Sequence, residues 1–99
     1  MDFEVRVTAE FSEWLDELKD GVAREAILSR LIRVRRGNFG DHASVGDGLS
    51  ELRIHLGPGY RAYYTVRARV IVFMLLGGSK RTQAGDIKKA KTIAKDIED

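Results

Sequence analysis

The 99-residue chain contains no cysteine, one proline and no long apolar segment. Without cysteine there is no disulfide framework and no thiolate metal site, which suits a protein of the reducing cytoplasm. The longest apolar run, residues 70–76, is far shorter than the ~20 residues of a membrane-spanning helix. Residues 1–10 also lack the basic start and apolar stretch of a secretion signal. We therefore expect a cytoplasmic protein with no membrane partner.

The length and the missing motifs limit the function classes further. A chain of this length supports a single domain, residues 1–99, with one core. Neither a phosphate-binding P-loop nor a metal-binding HExxH motif occurs in the sequence. We therefore expect no cofactor and no metal site.

The net charge of +2 conceals an uneven distribution along the chain. Residues 1–20 have a net charge of −5 and residues 21–81 a net charge of +7. Ten of the eleven basic residues in the second segment are arginines. Arginine binds phosphate through two parallel hydrogen bonds and stacks on nucleobases. The distribution favours a nucleic-acid partner over an ordinary scatter of surface charge.

Apolar periodicity predicts the order strand, helix, helix, three strands, helix. Residues 3–8 alternate as a half-buried strand, and Thr8 and Asp20 are candidate N-caps for the two helices that follow. The glycine-rich segment 37–48 is predicted to be a loop. Residues 84–97 have helical spacing and form the last predicted element.

The segment GLSELRIHLGPGYRAYYTV, residues 48–66, is predicted to form two strands around a Gly-Pro-Gly turn. Side chains alternate between the two faces of a strand, so each strand presents a polar set. The polar side chains expected on one face are Glu51, Arg53, His55, Arg61 and Tyr63.

The predicted elements indicate an α+β fold. The continuous apolar run at residues 70–76 is typical of a central strand covered on both faces or nearly so. Segregated helices and strands suggest helices packed on one face of a small, mostly antiparallel sheet. The polar side chains of the hairpin are then expected on the other, partly open face.

Four strings resemble a known family: RRGNFGD, GLSELRI, GPGYRAYY, and LLGGSKRTQ followed by DI. In this order and spacing, over about residues 3–96, they resemble the RelE/HigB superfamily of bacterial toxins, and within it the phage-derived addiction module killer proteins. The resemblance implies a compact RelE-like β-α-α-β-β-β-α fold and a type II toxin–antitoxin system. It also implies a helix-turn-helix, HigA-like antitoxin as partner, with operator DNA bound only through the antitoxin complex.

Toxins of this kind cut mRNA in the ribosomal A site, so the resemblance makes the ribosome and mRNA the expected targets. Cleavage without a metal proceeds by attack of the 2′-hydroxyl on the adjacent phosphate. It needs a base, an acid for the leaving 5′ oxygen, and cations for the phosphorane. ParE-type relatives inhibit DNA gyrase instead, and a degenerate toxin would act as a co-repressor with its antitoxin. Fold alone leaves these alternatives open.

The resemblance assigns the scissile phosphate to Arg61 and places further basic residues after the last strand, at Lys80 and Arg81. Arg53 lies on the neighbouring strand and is expected to share the face of Arg61. The expected catalytic residues are Arg53, His55, Arg61, Tyr63 and Lys80. The expected RNA-binding residues are Arg53, Arg61, Lys80 and Arg81.

The proton-transfer roles stay open at this stage. His55 is either an acid or base or a half-exposed strand histidine, and Tyr63 either orients a nucleotide or covers the sheet. Glu51 is expected to pair with an arginine rather than act as a base, and His42 is not expected to take part. Superfamily nucleases often carry a tyrosine or histidine near the C-terminus. This chain has Gln-Ala-Gly-Asp there, at residues 83–86, which leaves the general base unassigned.

Overall fold

A computed structural model describes residues 2–97 as one five-stranded sheet with three α-helices. The strands are β1 (Glu4–Val7), β2 (His42–Gly46), β3 (Leu49–Ile54), β4 (Tyr60–Arg67) and β5 (Ile71–Ser79). The helices are α1 (Ala9–Glu17), α2 (Gly21–Arg35) and α3 (Gln83–Lys95), and a 3-10 helix, Lys80–Thr82, joins β5 to α3. The strand order is β1-β5-β4-β3-β2, and only the β1–β5 pair is parallel. The predicted α+β fold with a mostly antiparallel sheet is confirmed.

Both predicted helix caps are present. The Thr8 hydroxyl accepts a hydrogen bond from the Phe11 amide at 3.1 Å, and the Asp20 carboxylate accepts one from the Ala23 amide at 3.0 Å. Each cap satisfies an amide that has no partner inside its helix. None of the helices within residues 2–97 is long and apolar enough to cross a membrane.

The loop predicted over residues 37–48 contains an edge strand, so that prediction was wrong for β2. This strand pairs with β3 in antiparallel register, from His42 opposite Leu52 to Gly46 opposite Leu49. Ala43 is half-buried between exposed neighbours, which is the alternation typical of a strand. The surrounding glycines concealed this short pattern in the sequence.

The helices cover both faces of the sheet, whereas the sequence suggested one covered face. Helices α1 and α2 bury the cluster that contains Phe11, Ile27 and Met74, and α3 packs on the opposite face over Tyr63 and Leu75. The physical reason lies in β5, which has apolar side chains on both faces. Helix α3 therefore covers the face that was expected to be partly open.

Gly77 allows α1 to approach β5 closely. A Cβ atom at this glycine would lie 2.2 Å from Cε3 of the Trp14 indole, far inside van der Waals contact. Overpacking of this kind costs about 1–3 kcal/mol, so Gly77→Ala is expected to lower the free energy of unfolding by about that amount. Urea unfolding followed by circular dichroism measures the change.

The matched control is Gly85→Ala, because a Cβ atom there would meet nothing within 4 Å apart from its chain neighbours and the nearby backbone of its own helix. In a helix, alanine is favoured over glycine by roughly 1 kcal/mol, so the control is expected to be at least as stable as the parent protein. Equal unfolding midpoints for the two variants would contradict the close packing of Trp14 on Gly77.

Candidate active site

Two rows of side chains cross the sheet on the face that α3 covers. The strand register places Arg53 opposite Arg61 and Arg61 opposite Gly78. In the neighbouring row, Glu51 lies opposite Tyr63. Because side chains alternate along a strand, both rows point to the same face. The structure therefore brings together four of the polar hairpin residues that the sequence predicted, whereas His55 lies just beyond the end of β3.

Glu51 lies at the centre of this arrangement. Its side chain is only 1% exposed, and one carboxylate oxygen receives Arg53 Nε at 2.9 Å and lies 3.7 Å from Arg61 Nε. The other oxygen accepts a hydrogen bond from Gln83 Nε2 at 2.7 Å. The hydrogen bond to Glu51 is the main reason that the pKa of Arg53 is raised. Glu51 pairs with arginines, as expected, and both of its oxygens have partners.

The two arginines differ in exposure. The Arg53 side chain is 39% exposed and that of Arg61 only 8%. Arg61 donates one hydrogen bond from Nη1 to the Tyr60 carbonyl at 3.1 Å, while its buried Nε has no hydrogen-bond partner within the described residues. The pair therefore consists of one accessible guanidinium and one nearly buried guanidinium with spare donor capacity.

The turn between β3 and β4 brings Lys80 beside Arg61. The Lys80 amide donates to the Gly59 carbonyl at 2.7 Å. A Cβ atom at Gly59 would lie 3.6 Å from Lys80 Cβ and 3.9 Å from Arg61 Nη1, so the glycine lies between the two basic residues. Gly59 has a φ of +80°, which glycine adopts without strain. Lys80 and Arg81 are both exposed on the 3-10 helix.

Tyr63 is fully buried beneath α3. Its hydroxyl has no hydrogen-bond partner among residues 2–97. Burial raises the pKa of Tyr63 strongly, the negative charges of Glu51 and Asp86 add to that effect, and Arg61 opposes it. The phenol therefore stays protonated, and in this conformation its side chain does not reach the surface.

Hydrogen bonds hold the start of α3 over the site. Thr82 donates a hydrogen bond to the Asp86 carboxylate, and this carboxylate occupies the space beside Gly78, where a Cβ atom would lie 1.9 Å from Asp86 Oδ2. Gln83 adds its bond to Glu51. The segment that carries no tyrosine or histidine thus supplies a carboxylate and an amide that fix the helix to the sheet.

The two histidines lie in different surroundings. His55 follows β3, its side chain is 69% exposed, and its Nε2 lies 2.5 Å from the Asp41 carboxylate. His42 pairs in register with Leu52, a core residue of the α1–α2 face, so it lies on the opposite side of the sheet from Arg53. Its Nδ1 donates to the Gly40 carbonyl at 2.8 Å. His42 therefore lies away from the face that carries Arg53 and Arg61, and its expected lack of a role stays a prediction.

Asp41 and Gln83 are site residues that sequence reasoning missed. Asp41 stands directly before His42 in the glycine-rich segment, and Gln83 stands in the stretch noted only for what it lacks. Their partners His55 and Glu51 are 14 and 32 positions away in the sequence. A local sequence pattern therefore predicts neither contact. Within residues 2–97 no group of three or more His, Asp or Glu side chains is placed to hold a metal ion.

Comparisons with known proteins identify the family. The model of the family described as Phage derived protein Gp49-like (DUF891) matches residues 13–98. An uncharacterized protein of Haemophilus influenzae is 44% identical over 97 residues, which cover 98% of each chain. The family match therefore extends over most of the chain.

Solved structures establish the fold. A doubly substituted form of the E. coli toxin RelE in the free state aligns with a TM-score of 0.73 and 16% identity, over 98% of this chain and 100% of its own. A chain of the Mycobacterium tuberculosis toxin–antitoxin complex RelBE2 aligns with a TM-score of 0.65 and 18% identity, over 81% of this chain and 100% of its own. The chain therefore belongs to the Gp49-like family of phage-derived proteins, and its fold resembles that of the RelE toxins that its sequence motifs indicated.

Proposed function

We propose that this protein is the toxin of a type II toxin–antitoxin system and that it stops translation by cutting mRNA in the ribosomal A site. The family and the RelE-like fold support the toxin class. The observation that carries the proposed chemistry is the buried Glu51 carboxylate, which aligns Arg53 and Arg61 on neighbouring strands. Paired guanidinium groups suit the non-bridging oxygens of a phosphate.

In the proposed reaction the 2′-hydroxyl attacks the adjacent phosphate, leaving a 2′,3′-cyclic phosphate and a 5′-hydroxyl end, without a metal ion. Arg53, Arg61 and Lys80 stabilise the negative charge of the phosphorane. His55 is the proton-transfer group, because an imidazole ring can both accept and donate a proton. A direct role for Tyr63 requires the start of α3 to move away, since the hydroxyl is buried.

The RNA backbone on either side of the cut is proposed to contact the exposed basic side chains of the 3-10 helix. Arg81 lies next to Lys80 on this helix and is exposed. Each phosphate that a basic side chain neutralises releases counterions, so binding is expected to weaken steeply with salt. This property distinguishes an RNA site from an apolar protein-docking surface.

The proposed partner is a HigA-like helix-turn-helix antitoxin that neutralises the toxin in the cytoplasm. The RelBE2 structure contains a toxin bound to its antitoxin, and the shared fold makes the same kind of pairing the simplest expectation here. Operator DNA is proposed to bind only through the complex, with the antitoxin as the DNA-reading subunit.

Pulse labelling of protein and DNA synthesis after induction of the toxin gene tests this proposal. Protein synthesis is expected to fall first while DNA synthesis continues, and co-expression of the antitoxin is expected to restore both growth and labelling. An early fall in DNA synthesis with induction of DNA damage repair would instead indicate a gyrase inhibitor of the ParE type. Normal growth at matched expression would indicate a degenerate toxin that acts as a co-repressor.

A further inference from the structure

The short connection between α2 and β2 is fixed to the sheet by Arg30. The guanidinium of Arg30 donates to the carbonyl of Arg53 at 2.6 Å and to the carbonyls of Phe39 and Asp41, each at 2.9 Å. The Asp41 carbonyl also accepts from the Arg53 amide at 2.9 Å. Asp41 therefore has a backbone position that is set by α2 and β3 together, although its side chain is at the surface.

From this position the Asp41 carboxylate determines how the His55 ring is held. Its Oδ2 lies 2.5 Å from His55 Nε2, and this hydrogen bond is the main reason that the pKa of Asp41 is lowered. An ionised carboxylate only accepts hydrogen bonds, so Nε2 carries the proton. The other ring nitrogen, Nδ1, makes no hydrogen bond within the described residues and keeps its lone pair in the neutral ring.

The surroundings of the pair connect it to the phosphate site. The other charged groups that act on Asp41 are Arg53 and Arg30, and both favour its ionised form. Arg53 is the accessible member of the arginine pair, and its charge and that of His55 both act on the Asp41 carboxylate. Asp41 thus orients an exposed imidazole and is also under the influence of the accessible cation.

We infer that Asp41 is a positioning residue that holds His55 with Nδ1 free to act as the general base. In this step the 2′-hydroxyl proton moves to Nδ1, the 2′-oxygen–phosphorus bond forms, and the bond to the 5′ oxygen breaks. The leaving 5′ oxygen takes its proton from water, and the imidazolium returns its proton to solvent. Asp41 stabilises the imidazolium formed in between.

This inference rests on the proposed RNA cleavage and supplies the base that is unassigned at residues 83–86. It also distinguishes Asp41 from the other exposed carboxylates of the chain. Asp47, for example, forms a surface ion pair with Lys91 at 2.9 Å, with no histidine as its partner. The two aspartates therefore form a matched pair for substitution.

The variant Asp41→Asn tests the inference in a reconstituted translation system, because it removes the charge while keeping the size of the side chain. We expect the cutting rate at saturating toxin to fall roughly fivefold, as an exposed ion pair contributes modestly, with the half-saturating toxin concentration unchanged. In the His55→Ala background Asp41→Asn is expected to cause no further loss, because Asp41 acts through His55. The control Asp47→Asn is expected to cut like the parent protein.

A spectroscopic readout tests the geometry separately. The Nε2 proton of His55 is expected to give a protected imidazole NMR signal in the parent protein that is lost in Asp41→Ala and retained in Asp47→Asn. Full activity of Asp41→Asn, or an equal loss in the His55→Ala background, would overturn the positioning role while leaving the proposed function intact. A parent protein that cuts no message in the presence of ribosomes would overturn both.

Discussion

Replacing Arg61 with alanine is expected to reduce mRNA cutting by about 10²–10³-fold, the usual loss when one preorganised donor to a transition-state charge is removed. Arg61 is the residue whose Nε has no hydrogen-bond partner in the described chain, and it lies between Arg53 across the strand pair and Lys80 across Gly59. This buried Nε becomes available to a phosphorane only if the Arg61 side chain is more exposed in the bound state. The cutting rate on ribosome-bound message measures the effect.

The protein is expected to remain folded in this variant. Glu51 keeps its bonds to Arg53 and Gln83, so no carboxylate is left buried without a partner. The matched control is Arg33→Ala, which removes an exposed arginine on α2, the helix on the other face of the sheet. Antitoxin binding measures folding in both variants. If Arg61→Ala cuts as fast as Arg33→Ala, Arg61 is a structural residue and the proposed phosphate site is wrong.

The substitution Glu51→Ala is expected to have the second large effect. Its main consequence is a lower free energy of unfolding rather than a change in the cleavage step. Removing the carboxylate leaves the nearly buried Arg61 without its counter-charge and Gln83 without its acceptor. Breaking a buried ion pair from one side typically costs about 3–5 kcal/mol. We expect a loss of this size in the free energy of unfolding, measured by urea unfolding with circular dichroism.

Two further variants separate charge from shape. Glu25→Ala removes an exposed carboxylate on α2 and is expected to change stability little. Glu51→Gln keeps the volume and one acceptor oxygen, so its loss is expected to be smaller than that of Glu51→Ala. The account of Glu51 as the residue that holds the arginines in place fails if Glu51→Ala unfolds at the same midpoint as Glu25→Ala.

Local sequence patterns predicted most of the elements because those elements are defined by short-range physics. Thr8 and Asp20 cap helices through amides three residues away, and the alternation of β3 and β4 follows from the strand repeat. The edge strand β2 was missed because its few alternating residues lie among glycines. The face that α3 covers was missed because helix placement depends on which surface β5 leaves uncovered.

The same distinction between local patterns and long-range contacts applies to the candidate site. Pairing of two alternating strands was enough to place Glu51, Arg53, Arg61 and Tyr63 on one face. Their exposure was not predictable, since α3 buries Tyr63 and the packing of the folded chain leaves little of Arg61 exposed. The contacts Asp41–His55 and Gln83–Glu51 join separate elements, and only the folded chain brings these partners together.

Mapping new 5′ ends on a defined message in a reconstituted translation system tests the central claim most directly. The message is incubated with the parent protein in the presence and absence of ribosomes, and the new ends are read by primer extension. We expect cuts that occur only with ribosomes and carry a 5′-hydroxyl. An intact message beside continued growth arrest in cells would contradict the claim, and the Arg53–Arg61 face would then be a surface for docking a protein target.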